Sequence, residues 1–473
     1  MAKIVFFHNI WYEQQGLMYL SSYLKLHGHH CELFLAGGEK DLLTAIERAN
    51  PDIIGTSIIT GSHIWALKTA CQIKKKLRVP IILGGPHPTF YPEVISDPNI
   101  DMICRGEGEK AILELLSNLD QRNKNRDIKN IWFKENGKII QNDFGELIND
   151  LDALPFPDRS LYQKYRFFKS ENIRHLITSR GCPHQCSYCF NYQLHSFLKG
   201  KGKYVRQRSV ENVIAELKDI KEYPRVKTIY FGDDILLLSP QWTELFLSRY
   251  KKEIGLPFIC NIRPDGITDN IAEGLREAGC ITVQFGVECG KESTRKGLLR
   301  KNTSDQDIID AANVLRKYKL KFLTFNMLGL PHETVEDAFR TLEINARIKT
   351  SYPRYFVYHP YPRTTLGDYA IREGLVGKNY NIDDFSQTYF KDSPLNQDHI
   401  REIINLHKLS ALGTTFPWLK TFLKMIIKLP PNISFEIIYL ISLGLQYSRC
   451  TNLGLWKTMI LGMRNISNYF RKQ

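Results

Sequence analysis

Apolar and polar positions alternate along the first 120 residues in two different rhythms. Short apolar runs at Lys3 to Phe7, Cys31 to Leu35, Asp52 to Ser57, Pro80 to Leu83 and Asp101 to Cys104 have the length of buried strands. Between them, Leu17 to Leu26, Ser62 to Leu77 and Glu109 to Leu119 repeat their apolar positions at helical spacing. Strands alternating with helices of this length predict an α/β domain over 1–120, a doubly wound parallel sheet of the flavodoxin-like kind. Such sheets bind ligands beyond the carboxyl ends of their strands. Here those ends carry His8-Asn9, Thr56-Ser57 running on to Ser62, Gly84-Gly85-Pro86-His87-Pro88 and Arg105-Gly106-Glu107-Gly108-Glu109.

Residues 121–170 read as a connector, with a hairpin over Ile131 to Asn142 turning at Asn136-Gly137. The prolines of Leu154-Pro155-Phe156-Pro157-Asp158 keep that stretch extended. From Ile173 the alternation resumes with a longer period. Strands are expected at Ile173 to Ser179, Thr228 to Gly232, Phe258 to Ile262, Thr282 to Val287, Phe322 to Leu328 and Tyr355 to Tyr358. The helices between them include Val210 to Glu222, Asn270 to Ala278, Ser304 to Tyr318 and Val335 to Ile348. Six such units over 171–365 predict a partial, TIM-like (β/α)6 barrel, with its chemistry on the loops after the strands. A mainly helical C-terminal region, 366–473, is expected to follow.

The first of those loops reads Ser179-Arg180-Gly181-Cys182-Pro183-His184-Gln185-Cys186-Ser187-Tyr188-Cys189. Cysteine thiolates ligate iron–sulfur clusters, usually four to a cubane. Three on one short loop leave one iron bare, where a small molecule can chelate. A zinc knuckle and a disulfide are the other readings of these thiols. Structural zinc takes four ligands, and His184, inside the same loop, would strain a tetrahedral site.

Cys-x-x-x-Cys-x-aromatic-Cys after a strand resembles the signature of the radical S-adenosylmethionine (SAM) enzymes. The resemblance implies a [4Fe-4S] cluster on Cys182, Cys186 and Cys189 whose free iron binds SAM, cleaved reductively to a 5′-deoxyadenosyl radical. It extends to the other strand ends. Tyr188, Gly232-Asp233-Asp234, Glu288 in Gly-Val-Glu, and Asn326 and Gly329 in Asn-Met-Leu-Gly-Leu-Pro stand where the family contacts SAM, and Arg263 with Asp265 after the third strand offers a guanidinium suited to SAM's carboxylate. Pro362-Arg363-Thr364 replaces the family's usual Pro-Gly-Thr, which puts that loop's geometry in question. The first 120 residues resemble the cobalamin-binding domain of the B12-binding radical SAM proteins, through Gly28-His29, Gly84-Gly85-x-His87 and Gly106-x-Gly108-Glu109. This implies cobalamin contacts at His8, Asn9, Thr56, Ser57, Gly84, Gly85, His87, Gly106 and Glu107. The Asp-x-His-x-x-Gly loop that supplies a histidine to cobalt elsewhere is absent, so cobalamin is expected without a histidine below the metal. Cys31, Cys71 and Cys104 do not match the second-cluster contexts of methylthiotransferases and read as small core hydrophobes.

Composition narrows the setting. Ten cysteines with no charged n-region and apolar run at the start argue for a reducing, cytoplasmic compartment and metal chemistry. Half of the net charge of +14 belongs to the last stretch: Phe416 to Gln473 holds eight Lys/Arg against one Glu. There Lys420, Lys424 and Lys428 recur every four residues among apolar side chains, and Phe435 to Leu445 is almost wholly apolar. That pattern fits either a helical cap on the barrel mouth or a peripheral contact with an anionic membrane.

Taken together, the expectation is a radical SAM enzyme that is a cobalamin-dependent methyltransferase acting on an unactivated carbon. It would take a small-molecule substrate and an external electron donor such as flavodoxin or ferredoxin, and no nucleic acid. The alternatives are a cobalamin-associated radical cyclase or rearrangement enzyme, and a non-catalytic iron–sulfur or cobalamin sensor.

Overall fold

Successive side chains of strand β1 (Lys3–His8) enter two different cores. Ile4 and Phe6 pack with Leu17, Leu24, Leu115 and Leu116, whereas Val5 and Phe7 pack with Ile46, Ala66, Ala70 and Ile73. A sheet buried on both faces needs such near-continuous apolar strands. The computed structural model describes residues 1–377, 380–384 and 392–451. The chain forms two units, Met1–Gly181 with His195–Lys227, and Cys182–Leu194 with the chain from Thr228 onward.

In the first unit β1 lies between β2 (His30–Leu35) and β3 (Ile53–Ser57). β4 (Ile81–Gly84) and β5 (Met102–Cys104) follow in the order 2-1-3-4-5, all parallel. The chain order reverses between β1 and β3, which makes their carboxyl ends the switch-point crevice. The hairpin of β6 (Ile131–Glu135) and β7 (Lys138–Ile140) turns at Asn136 and Gly137, both with positive φ. It is more than a connector: β6 pairs antiparallel with β5 and extends the sheet to seven strands. The predicted strand at Ile173 forms as β8 (Ile173–Leu176), and β9 (Ser179–Arg180) pairs antiparallel with β10 (Arg206–Gln207).

The second unit contains β11 (Thr228–Phe231), β12 (Phe258–Asn261), β13 (Cys280–Glu288), β14 (Lys321–Leu328) and β15 (Tyr352–Val357). They are adjacent in chain order and parallel, the arrangement of a partial barrel. Helix starts are set by their caps: Ser304 and Asp307 form a capping box before Asp305–Lys317, and Thr334 caps Val335–Arg347. Parallel strands require such crossovers, so the cap residues indirectly fix which loops meet at the carboxyl ends.

Helix Ile400–Thr415 packs on helix Val335–Arg347 and on β15, with Ile403, Leu406 and Leu409 in a shared core with Leu342, Tyr355, Leu423 and Phe435. The basic stretch forms only a short helix, Lys420–Ile426. Its lysines do not make a free cationic face. Lys420 pairs with Glu343, 2.7 Å away, and both Lys420 and Lys424 pair with Glu336, at 2.5 and 2.6 Å. Lys428 is exposed and meets no carboxylate among the described residues. Residues 452–473, which the sequence includes in the helical region, lie outside the described residues.

Candidate active site

The loop carrying Cys182, Cys186 and Cys189 is held by the serine between its last two cysteines. Ser187 N–H donates to Leu299 O at 3.0 Å, its hydroxyl donates to Leu298 O at 2.6 Å, and its carbonyl accepts Leu366 N–H at 2.8 Å. Cys189 N–H closes the turn on Cys186 O at 3.1 Å. All three thiols are half-buried and none is in a disulfide. Burial raises each of them, Cys189 to about 12, so the bare protein holds them as thiols. Bound metal reverses that preference, because a coordinating thiol is deprotonated outright. Three sulfur donors on one loop fit an iron–sulfur cluster.

The strand ends supply the rest. A bulge in β13 shifts the register to β14 between Gly286 and Glu288 and re-aims the next side chain. Glu288 sits at φ +66° and its carboxylate meets the buried Lys301 ammonium at 2.8 Å. A Cβ at Gly286 would overlap both groups. Tyr188 reaches the same carboxylate, and burial with that negative charge pushes its phenol well up. Lys301 and Arg263 both lower the Cys186 thiol against its burial, so the two cations face the cysteine loop. Lys301 rides on a loop anchored by the buried Arg295, which donates to Thr303 O at 2.7 Å and Cys289 O at 2.6 Å. Nothing in the sequence pattern singles Lys301 out.

The two aspartates after β11 part company. Asp234 accepts from Asn191 Nδ2 at 2.9 Å and its charge acts on Cys182 and Cys189. Asp233 is buried, and its carbonyl takes Asn261 Nδ2 at 2.8 Å. Gly232 beside them is exposed. Arg263 grips Asp265 with two bonds, 2.9 and 2.8 Å, and reaches Thr303 at 3.1 Å. Asn326 points into the sheet. It is fully buried, donates to Thr324 O and Arg354 O, and accepts Asn345 Nδ2 at 2.7 Å. Its amide belongs to the sheet's internal polar network. Gly329, at φ +79°, gives its N–H to Glu333, which also accepts Leu330 N–H at 3.2 Å. Arg363 adopts φ +66°, so the loop keeps a glycine-like backbone despite the arginine, and its N–H donates to Asp368 at 2.7 Å.

At the strand ends of the first unit, Thr56 is buried and its hydroxyl has no partner among the described residues. Gly85, at φ +92°, lies so close that a Cβ would come 2.6 Å from Ser57 Oγ, while at Gly84 the nearest atom would be 4.0 Å away. An orphaned hydroxyl beside bare backbone fits a large polar cofactor. Asn9 is half-buried nearby in the loop after β1. His8 is spent: Nδ1 accepts Ile10 N–H, so Nε2–H donates to Tyr162, both at 3.1 Å, and burial lowers it to about 4. His87 stacks on His63 at 4.1 Å and bonds Thr60 at 3.0 Å; burial holds it neutral, near 3. Gly106, at φ +75°, donates to Thr89 Oγ1 at 3.0 Å. Glu107 is held by two arginines. Burial alone would raise its carboxyl, yet Arg180 at 3.0 Å and Arg206 at 2.9 Å hold it below its ordinary value. With Ile148 N–H also bound at 2.9 Å, its oxygens are used within the unit. Cys31 and Cys104 lie in the hydrophobic core.

Three thiols on one loop, ringed by charged groups at the ends of parallel strands, define a radical SAM enzyme. The comparisons agree: the pattern of the Radical SAM superfamily matches residues 176–344, and that of the B12 binding domain residues 11–116. The chain is 30% identical over 372 residues to "Uncharacterized methyltransferase PH0819" of Pyrococcus horikoshii, covering 76% of this chain and 79% of that one. It is 26% identical over 368 residues to the anaerobic magnesium-protoporphyrin IX monomethyl ester cyclase of Rubrivivax gelatinosus, covering 74% of this chain and 64% of that one. In fold it is similar to the cobalamin-dependent S-adenosylmethionine radical enzyme OxsB, with TM-score 0.69 at 18% identity, over 95% of this chain and 71% of that one. The chain belongs to the B12-binding radical SAM family, whose cofactors are a [4Fe-4S] cluster, S-adenosylmethionine and cobalamin.

Proposed function

We propose that the chain is a cobalamin-dependent radical SAM methyltransferase that places a methyl group on an unactivated carbon of a small molecule. The observation that carries this is the cysteine loop clasped against the buried Glu288–Lys301 pair, in a chain whose relative at 30% identity is named a methyltransferase. When bound, the cluster and SAM supply hydrogen abstraction, and cobalamin supplies the methyl group. Cys182, Cys186 and Cys189 would hold three irons. Lys301 and Glu288 offer opposite charges to the carboxylate and ammonium of SAM's methionyl end, with Tyr188 and Asp234 beside them. Thr56, Gly84 and Gly85 would receive cobalamin. A flavodoxin or ferredoxin would bring the electron.

The cyclase relative supports a second reading, in which the same radical closes a ring and no methyl is transferred. The two readings differ in by-product. Protein reconstituted anaerobically with iron, sulfide and cobalamin is given SAM, a low-potential reductant and a small-molecule extract of the source cells as the supply of acceptor. Methyl transfer requires both 5′-deoxyadenosine and S-adenosylhomocysteine. Deoxyadenosine without S-adenosylhomocysteine would favour the cyclase, and neither product would leave a non-catalytic binder.

A further inference from the structure

Helix Ile433–Thr451 carries apolar side chains on two opposite faces. One face is docked. Phe435 lies in the core with Leu406 and Leu423, Tyr439 packs on His407 at 5.0 Å, and Glu436 meets Lys408 at 2.8 Å. Asn405 Nδ2 bonds both Ile427 O and Leu429 O at 2.8 Å, fixing the turn that leads into the helix. With that face pinned, Ile433, Ile437, Ile441 and Leu445, four residues apart, are left on the outside, 43% to 62% exposed. Before the turn, Trp418 is 77% and Phe422 54% exposed. Single exposed apolar side chains are ordinary, but a row along one helix marks a surface that something covers.

Charge says what. From Ile437 to Gln473 there are five Lys/Arg and no Asp or Glu. Packing two such stretches against each other in a dimer would oppose like charges, whereas an anionic lipid surface complements them. We propose that the outer strip of helix Ile433–Thr451 seats the protein on an anionic membrane. The isoleucines enter the boundary between headgroups and acyl chains, at a surface whose charge complements the net positive sequence. Trp418 has the amphipathic ring favoured at that boundary. No helix among the described residues is long and apolar enough to cross a membrane. This inference is independent of whether the reaction is methylation or ring closure.

The test is flotation of the full-length holoenzyme with two kinds of vesicle, phosphatidylcholine containing phosphatidylglycerol and phosphatidylcholine alone. The expected result is flotation with the anionic vesicles, about tenfold weaker with the neutral ones and weakened by salt. The I437E/I441E variant should stay at the bottom while keeping the parent's melting temperature and iron–sulfur absorbance. Should that variant melt early, Ile441→Gln on the same strip gives the comparison with a smaller loss. No flotation of the parent overturns the proposal, as does a folded variant that floats like the parent. A parent dimer in gel filtration that I437E/I441E splits would instead assign the strip to a second copy. Flotation only after truncation beyond Thr451 would assign it to residues 452–473.

Discussion

Lys301 Nζ lies 2.8 Å from Glu288 Oε1, both side chains buried, and Glu288 holds its place on left-handed backbone at φ +66°. That backbone costs on the order of 1–3 kcal/mol, and such strain persists only where the surroundings over-determine it. Here the β13 bulge and the bare Cα of Gly286 do so. Removing one partner of a buried pair leaves an uncompensated charge and costs about 3–5 kcal/mol. Lys301→Met is therefore expected to lower the melting temperature, and the E288Q/K301M double variant to recover part of the loss. If the pair also receives SAM, the double variant will fold yet no longer show a SAM-induced change in the cluster's EPR signal. A K301M protein as stable as the parent would refute the pairing.

Replacing Cys186 by Ala should remove the cluster and leave the unit folded. The thiol is half-buried, and the loop's hydrogen bonds run through Ser187 and the backbone instead. Iron and visible absorbance after anaerobic reconstitution should fall severalfold relative to the parent, with the melting temperature of the metal-free protein unchanged. An unaltered spectrum would take Cys186 out of the ligand set.

Gly84 and Gly85 separate fold from cofactor. Gly85→Ala puts a Cβ 2.6 Å from Ser57 Oγ and 2.9 Å from the Ile58 backbone at φ +92°, and should destabilise the first unit by at least about 1–3 kcal/mol. Gly84→Ala meets no protein atom closer than 4.0 Å and should leave the melting temperature nearly unchanged. If cobalamin lies along this backbone, the Gly84→Ala protein will lose it on gel filtration while remaining as stable as the parent. Full retention would move the cofactor elsewhere.

The first sheet was legible because its strands are apolar on both faces, and a run such as Ile53-Ile54 has few other destinations. The cysteine loop was legible because thiolate spacing is chemistry in itself. What pattern could not show is how side chains are spent. Asn326 and Glu107 stand at the expected strand ends, but Thr324 and Asn345 occupy the first, and Arg180 and Arg206 the second. Lys301 was invisible for the converse reason: it lies in an unpatterned loop, and only Arg295 and the bulge bring it to Glu288. Helix Pro240–Glu253 was missed although Ser239 caps it, since it buries only Thr243, Phe246, Leu247 and Tyr250 among polar neighbours. Lys420 and Lys424 share a face as their spacing says, yet that face finds Glu336 across the fold.

Glu333 makes the site's pH dependence testable. Its carboxyl is buried, and burial raises it to about 8 even though Gly329 N–H and Leu330 N–H both donate to it. The unfolded chain releases this proton near the ordinary glutamate value of about 4.3. Between there and pH 8 the native state therefore holds more protons than the unfolded one, and stability falls as pH rises. The slope from this one group is at most about 1.4 kcal/mol per pH unit. Glu333→Gln keeps an oxygen to accept both backbone N–H groups but cannot ionise. The variant should match the parent near pH 5 and become the more stable protein by pH 8, its melting temperature no longer falling over that range. Glu333→Ala, which leaves both N–H groups unmet, should be less stable than either at every pH. Parallel melting curves for the parent and Glu333→Gln across pH 5 to 8 would show that Glu333 is ionised in the fold, with its charge carried by the Gly329 loop.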